Sequence, residues 1–186
     1  DGLVDGNDGF VPIGGILVPM IGVGGHCLPK DGILLWWRRI ESGEDTTNSL
    51  ILRSRDINDE SPAETLRLAE KTIGDISGKN VALLGAAYRF DSEDTRNAPT
   101  LYTAKLLLER GCNIRIHDPY VKGDDQNLKR FGLTEYFTND LGEALADAEV
   151  GIFCTGHGVY QNGLDDILAA APSMTAIIDG ANLYRG

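Results

Sequence analysis

From residue 78 onward, short apolar runs alternate with segments of helical periodicity, and this alternation limits the possible folds more than any other feature. A strand, a helix and a strand in succession predict parallel strands joined by crossover helices. Repetition of the unit predicts a doubly wound α/β domain with a mainly parallel sheet, whose ligands bind at the carboxyl ends of the strands. The predicted strands are Val81–Leu84, Asn113–His117, Val150–Cys154 and Thr175–Asp179, and the predicted helices are Pro99–Arg110, Leu141–Ala148 and Leu164–Ala171.

The first 77 residues have a different texture. Residues 1–31 are rich in glycine and proline, which predicts loops with at most one short buried turn. A helix is expected over Ile33–Arg39, and a longer helical pattern runs from Thr46 to Ile76. Pro62 interrupts this pattern after several residues that favour helix caps, so we expect two helices that meet at a bend. A helical central segment therefore precedes the α/β domain.

Composition limits the partners of these two parts, residues 1–77 and 78–186. The formal net charge of −11 argues against nucleic acid or an anionic membrane surface as the main partner. No run approaches the roughly 20 apolar residues of a membrane span, and the first residues lack the pattern of a secretory signal, so a cytoplasmic location is expected. The cysteines are widely spaced and odd in number, which predicts free thiols and neither a disulfide framework nor a metal site.

The segment Gly22–Asp31 joins closely spaced glycines to Cys27, Lys30 and Asp31. Glycines let the backbone approach a ligand, and an adjacent ammonium favours the reactive thiolate form of a cysteine. Asp31 is placed to orient a water molecule or the lysine. A glycine-rich segment is more often a simple turn than a catalytic loop, so spacing alone leaves both interpretations open.

This segment resembles the active-site loop of the UDP-glucose/GDP-mannose dehydrogenase family, and further matches follow in order along the chain. Arg55–Asp59 followed by Pro62 is similar to the inter-domain helix of that family. The resemblance spans most of the chain and implies a Rossmann-like domain that binds a nucleotide sugar. The remaining matching segments are Val81–Arg89 with Asp94-Thr95-Arg96 and Pro99, His117–Tyr120, and Asp179-Gly180 with Asn182.

The resemblance implies an NAD-dependent oxidation of the C6 alcohol of a nucleotide sugar to a uronic acid. Cys27 would carry C6 as a thiohemiacetal and then as a thioester, Asp31 would assist the attack of water, and Lys30 would lie by the thiol and the cofactor. Arg96 would contact the NAD phosphates, although a surface ion pair with Asp91 or Asp94 is the alternative. The residues implied to contact the UDP-sugar are Val18, Pro19, Met20, Ile21, Gly22, Val23, Gly24, Tyr88 and Arg89, of which Tyr88 is also a candidate for the core, and those implied to contact NAD are Cys27, Lys30 and Arg96.

Two departures from the family pattern leave a second function open. No dinucleotide-binding turn is found in the sequence, so the chain alone should not bind NAD well and is expected to be a fragment or remnant of a longer protein. Ala181 stands where the family commonly has a substrate-contacting arginine. The alternative is a nucleotide-sugar-binding module without catalysis. A regulatory NAD-binding domain is disfavoured, because no acidic residue lies about 20 positions beyond a suitable glycine turn.

The remaining polar and aromatic residues receive structural interpretations. His157 is expected on a polar rim, His117 as the cap of a strand, and Cys112 and Cys154 as small buried groups. Trp36 and Trp37 are expected to pack in the helical core or on a dimer face and not to stack on a uracil. The resemblance also implies a homodimer, because the family pairs its subunits through the central helices and residues 33–76 keep much of that apolar surface. The Gly-Gly-His-Cys sequence resembles the branch acting on N-acetylated sugars such as UDP-N-acetylmannosamine more than the UDP-glucose branch.

Overall fold

The computed structural model describes residues 20–184, which form two long helices followed by a five-stranded α/β unit. No helix in this range is long and apolar enough to cross a membrane. In chain order the elements are α1 (Cys27–Glu41), α2 (Leu50–Ile73), β1 (Asn80–Leu84), α3 (Pro99–Glu109), β2 (Asn113–His117), α4 (Gln126–Phe131), a 3-10 turn (Thr134–Tyr136), β3 (Phe137–Thr138), α5 (Leu141–Leu145), β4 (Val150–Phe153), α6 (Gly158–Gln161), α7 (Leu164–Ala170) and β5 (Ala176–Asp179).

The sheet is parallel throughout, with the strand order β3-β2-β1-β4-β5. The first strand in sequence, β1, lies at the centre between β2 and β4. Chain order therefore reverses beside β1, which is where an open α/β sheet forms a crevice at its carboxyl edge. The predicted α/β class and parallel sheet are confirmed.

Alternate residues of the strands supply two apolar cores, one on each face of the sheet. Val81 and Leu83 of β1 face the larger core, where Leu66 of α2 and Leu107 of α3 pack against them. The other face is covered by α5 and α7. The buried residues of that second core are Ala82, Leu84, Leu145, Ala148, Phe153, Tyr160, Ile167 and Ala171.

The helical segment differs from its prediction in two ways. Residues 27–31 belong to α1 and not to a loop, because a proline such as Pro29 is compatible with the first turn of a helix, where its missing N–H has no intrahelical partner. The two helices expected on either side of Pro62 form one continuous helix, α2, of 24 residues with Ser49 as its N-cap. The fixed φ of proline is helical, and the Pro62 ring is buried, so one lost backbone bond does not end the helix.

The helix α1 buries none of its residues among those the structure describes. Trp37 is 55% exposed and Trp36 is half-buried, so neither ring lies in a core within residues 20–184. Leu28, Leu34 and Leu35 are exposed as well. An open groove of about 470 Å³ runs between α1 and α2.

Candidate active site

Residues 21–25, here called the strap, lie across the carboxyl edge of the sheet and lead directly into α1. The Ile21 N–H donates to the carbonyl of Gly180, just after β5 (3.1 Å), and the Gly25 N–H donates to the carbonyl of Arg96, in the loop after β1 (2.7 Å). A glycine is required at position 24, because a Cβ there would lie 2.5 Å from Tyr88 Cβ. Tight contact with two strand-following loops therefore places the start of α1 at the ligand-binding edge.

The residues predicted for catalysis share one face of the first turns of α1. Cys27 is the first residue of the helix, and Lys30 and Asp31 follow three and four positions later, the spacing that aligns side chains on a helix. The Cys27 thiol is free and exposed, at the helix end where the backbone dipole stabilises negative charge. Lys30 Nζ forms an ion pair with Asp31 Oδ1, and both side chains are exposed. The other two cysteines, Cys112 and Cys154, are free and buried, as predicted.

The loop after β1 brings two more predicted residues to the strap. The Tyr88 ring packs partly against the main core and lies beneath Gly24 and Gly25. Arg96 forms a two-point ion pair with Asp94 (Nε–Oδ1 2.9 Å, Nη2–Oδ2 2.5 Å). Hydrogen bonding to Asp94 is the main cause that raises the pKa of Arg96.

Of the other residues predicted to contact the substrate, only some lie in the strap beside Cys27. Val18 and Pro19 lie outside the described residues. Met20 and Arg89 are exposed, and the Arg89 guanidinium carbon lies 5.9 Å above the Phe90 ring. Within the strap, the N–H of Ile21 and both backbone polar groups of Val23 are already engaged in hydrogen bonds inside the chain, while Gly22 packs near Pro99.

A buried carboxylate that was not singled out as a site residue organises the centre of this edge. Asp118 directly follows β2, and its Oδ2 accepts hydrogen bonds from the N–H groups of Ala86 (2.7 Å) and Ala87 (2.9 Å), just after β1. Its Oδ1 accepts from the N–H groups of Tyr120 (2.8 Å) and Val121 (3.0 Å) in its own turn. Four backbone donors on one side chain tie the first two strands of the unit together. The Asp-Pro pair after a predicted strand was the available sequence signal.

His157 supplies the fifth hydrogen bond to Asp118. The prediction of a polar rim for His157 is wrong, because its side chain is fully buried. Its Nδ1 accepts from the backbone N–H of Asp91 (2.9 Å), so the ring proton lies on Nε2, which donates to Asp118 Oδ2 (3.0 Å). Burial alone raises the pKa of Asp118, but the bond to His157 and the backbone donors outweigh it and hold the pKa below its usual value.

His117 is also buried, at the end of β2, where its Nδ1 lies 2.8 Å from the Tyr160 hydroxyl. Burial is the main cause that lowers its pKa. It therefore serves as a packed polar group at the end of the strand. No cluster of three or more potential metal ligands occurs within residues 20–184.

Comparison with known proteins identifies this arrangement. Residues 82–186 match the UDP-glucose/GDP-mannose dehydrogenase family, UDP binding domain. The chain belongs to this dehydrogenase family. Its UDP-binding domain is thus the α/β unit whose carboxyl edge holds Asp118, and the predicted resemblance is confirmed.

Relatives from this dehydrogenase family match the chain over most of its length. UDP-N-acetyl-D-mannosamine dehydrogenase of Pyrococcus horikoshii is 30% identical over 91% of the chain and 37% of that protein. UDP-glucose 6-dehydrogenase of Haloferax volcanii is 28% identical over 88% of the chain and 36% of that protein. The crystal structure of NDP-N-acetyl-D-galactosaminuronic acid dehydrogenase from Methanosarcina mazei Go1 superimposes with a TM-score of 0.77 at 30% identity, over 91% of this chain and 36% of that one. The chain therefore spans little more than a third of these relatives.

Ala181 is half-buried and packs against the second core, which contains Phe153. A small apolar residue at this position adds to packing and offers no charge to a ligand.

Proposed function

We propose that the protein oxidises the C6 alcohol of a UDP-N-acetylhexosamine to the uronic acid, with Cys27 as the covalent nucleophile. The observation that carries the proposal is an exposed thiol at the start of α1, held at the carboxyl edge of a UDP-binding domain by the strap. The similarity to a UDP-N-acetyl-D-mannosamine dehydrogenase supports the class of sugar. A thiol that attacks an aldehyde at C6 keeps it bound and unhydrated for the second oxidation.

NAD would serve as the hydride acceptor, and the described residues do not by themselves form its binding site. The turn after β1, where a Rossmann domain usually holds a pyrophosphate, is filled by Asp118, which takes the N–H groups of Ala86 and Ala87. In the strap, the N–H groups of Val23 and Gly25 are likewise engaged within the chain. Within this range we assign only edge contacts to the cofactor, from Arg96, Lys30 and Cys27.

The side chains of Lys30 and Asp31 would act from the same helix face as the thiol. The Lys30 ammonium would stabilise the thiolate, and the Asp31 carboxylate, its ion-pair partner, would orient the water that hydrolyses the thioester. Tyr88 and Arg89 would contact the substrate from the loop after β1. Arg96 can reach a phosphate only by sharing or leaving Asp94, so ligand binding should loosen that ion pair.

Selective alkylation tests the proposal on this chain. We expect iodoacetamide to modify Cys27 much faster than the buried Cys112 and Cys154, because burial raises the pKa of Cys154 to about 12 and also raises that of Cys112. A UDP-sugar should slow modification of Cys27, as followed by mass spectrometry of the intact chain and its peptides. Equal rates at the three thiols, or no protection, would contradict the assignment.

Turnover in the full-length protein tests the covalent route. Cys27→Ala should abolish uronic acid formation, measured together with NADH release for UDP-N-acetylmannosamine, UDP-N-acetylglucosamine, UDP-N-acetylgalactosamine, UDP-glucose and GDP-mannose. Two equivalents of NADH per sugar from this variant would refute the covalent route. Binding of a UDP-sugar without turnover by the wild-type protein would favour the second candidate, a non-catalytic binding module, to which Ala181 and the filled dinucleotide turn give some support.

We also propose that two copies pair through the helical segment. Leu34, Leu35 and Trp37 of α1 are each more than half exposed, which is an apolar surface of the kind that subunit contacts cover. Sedimentation of the full-length protein should show a dimer, and Leu35→Glu should shift it toward the monomer. A monomeric wild-type protein would contradict this pairing.

A further inference from the structure

Two asparagine amides, one from α2 and one from the loop after β1, bind the strap just before Cys27. Asn58 of α2 accepts from the Val23 N–H (2.7 Å) and donates to the Val23 carbonyl (3.3 Å). Asn97, in the loop after β1, donates from Nδ2 to the Gly25 carbonyl (2.8 Å). The sheet unit and the helical segment are thus linked to the same short stretch of backbone.

Asparagine suits the first position for a chemical reason. Its amide carries an acceptor and a donor side by side, which pair with the N–H and C=O of a single residue as a neighbouring β-strand would. Asn58 is half-buried beneath Val23. Because both bonds go to one residue, the amide fixes the position and the rotation of the Val23 peptide groups.

At the second position, the backbone conformation also selects asparagine. Asn97 has a φ of +49°, a conformation that most side chains avoid and that asparagine tolerates. Its amide and the Arg96 carbonyl bind both polar groups of Gly25, which itself has a φ of +91° and lies against the Tyr88 ring. The loop that follows the central strand therefore binds both the N–H and the C=O of Gly25, two residues before Cys27.

We infer that Asn58 and Asn97 are positioning residues, which hold Cys27 at a fixed place between α2 and the nucleotide-binding edge. The inference rests on the proposed function of Cys27. Only His26 lies between Gly25 and the thiol, so a shift of the strap moves the sulfur directly. A displacement of about 1 Å at a reacting group is enough to slow turnover on the order of 100-fold.

The two asparagine amides, here called the clamps, differ in whether they donate or accept hydrogen bonds, and isosteric variants of the full-length protein test this difference. Asn58→Asp turns the longer contact, 3.3 Å from the Val23 carbonyl, into a repulsion between two oxygens, but it keeps the bond from the Val23 N–H, which a carboxylate accepts more strongly. Asn97→Asp has no retained bond and places an oxygen against the Gly25 carbonyl at the shorter distance of 2.8 Å. We expect kcat within about 3-fold of wild type for Asn58→Asp, and a loss of about 10- to 100-fold for Asn97→Asp and for Asn58→Leu. The KM for the UDP-sugar should change by less than about 3-fold, because the clamps act on the thiol and not on the nucleotide.

The matched control is Asn113→Asp. The Asn113 amide donates to the Asn80 side chain at the amino end of the sheet, opposite the strap, so turnover should stay at the wild-type rate. Thermal melting of each variant gives its folded fraction, to which kcat is normalised. The rate of Cys27 alkylation and its protection by the UDP-sugar are measured in parallel, and Asn97→Asp should lose most of the protection.

The outcomes separate this inference from the proposed function. If Asn97→Asp and Asn58→Leu both keep the normalised kcat of the wild type and the protection of Cys27 by the UDP-sugar, the inference is overturned. The proposed function still stands in that case, provided that the UDP-sugar protects Cys27 of the wild-type protein. Equal losses in Asn58→Asp and Asn58→Leu would also overturn it, because the retained bond would then have no value. Absence of protection in the wild-type protein itself would reject the proposed function.

Discussion

The strand β1 and the helix α1 use apolar residues in opposite ways. Residues 81–84 of β1 are at most 2% exposed, whereas Leu34, Leu35 and Trp37 of α1 are each at least 55% exposed. The apolar content of the sheet is accounted for by helices within residues 20–184, but that of α1 is not. The comparison shows that the sheet is covered within residues 20–184, where Ile21 of the strap and Leu66 of α2 join its main core, while the helix that bears Cys27 leaves much of its apolar surface exposed.

Removal of a buried carboxylate should give the largest contrast between the two regions. Asp118→Ala leaves five donors at the edge of the sheet without their acceptor, which should lower the free energy of unfolding by about 3–5 kcal/mol. Asp59 of α2 is the matched control, because its carboxylate is exposed and its ion-pair partner, Arg55, lies on the same helix. Asp59→Ala should cost less than about 1 kcal/mol. Denaturant unfolding measures both, and similar losses would show that the difference in burial does not decide stability.

Two leucines of α2 locate the border between the regions. Leu66 is fully buried in the main core, whereas Leu68 is 56% exposed. Leu66→Ala should destabilise the chain by about 3 kcal/mol through lost packing, and Leu68→Ala by about 0.5 kcal/mol or less. Equal effects in urea titrations would mean that the second half of α2 is not part of the sheet core.

The smallest expected effect is a pH dependence located in the sheet unit. Burial lowers the pKa of His117 below 6.5, so the unfolded chain binds a proton first as the pH falls. The contribution of this group is complete above pH 6.5 and is lost as the pH falls toward its folded-state pKa, with a slope of at most about 1.4 kcal/mol per pH unit.

His117→Gln should flatten the stability curve measured by urea unfolding between pH 6.5 and pH 5. Asp118 titrates in a separate window, because its folded-state pKa lies below 3.8 and its stabilisation is lost only as the pH falls through that lower value. An unchanged slope in His117→Gln would assign the pH dependence to other groups.

Strands β1 and β4 were predictable because burial on both faces leaves unbroken apolar runs at 81–84 and 150–153, and β2 by its alternation. The two-residue strand β3 was not predicted, because so short a segment has no pattern of its own. The single helix through Pro62 was not, since a proline inside a helical pattern usually marks a boundary and only its burial in the fold shows the compensation. The start of α1 at Cys27 had a local signal, Pro29 in a first turn, which the preceding glycines obscured.

For the site, the sequence placed Cys27, Lys30 and Asp31 together because they are close along the chain. It gave no sign of Asn58 or Asn97 as clamps, since their bonds to the strap span 35 and 72 residues. The burial of His157 was missed for the same reason, because its partner Asp118 lies 39 residues away. Contacts of this range depend on topology and not on local pattern.

The carboxylate of Asp118 has a consequence for what this fold can recognise. By filling the turn after the central strand with its own negative charge, the domain gives up the phosphate cradle common to its architecture and becomes closed to a pyrophosphate at that point. A pyrophosphate would have to compete with this carboxylate for the N–H groups of Ala86 and Ala87. Removal of the Asp118 carboxylate would free these N–H groups, but it would also remove the hydrogen bonds that connect the ends of β1 and β2.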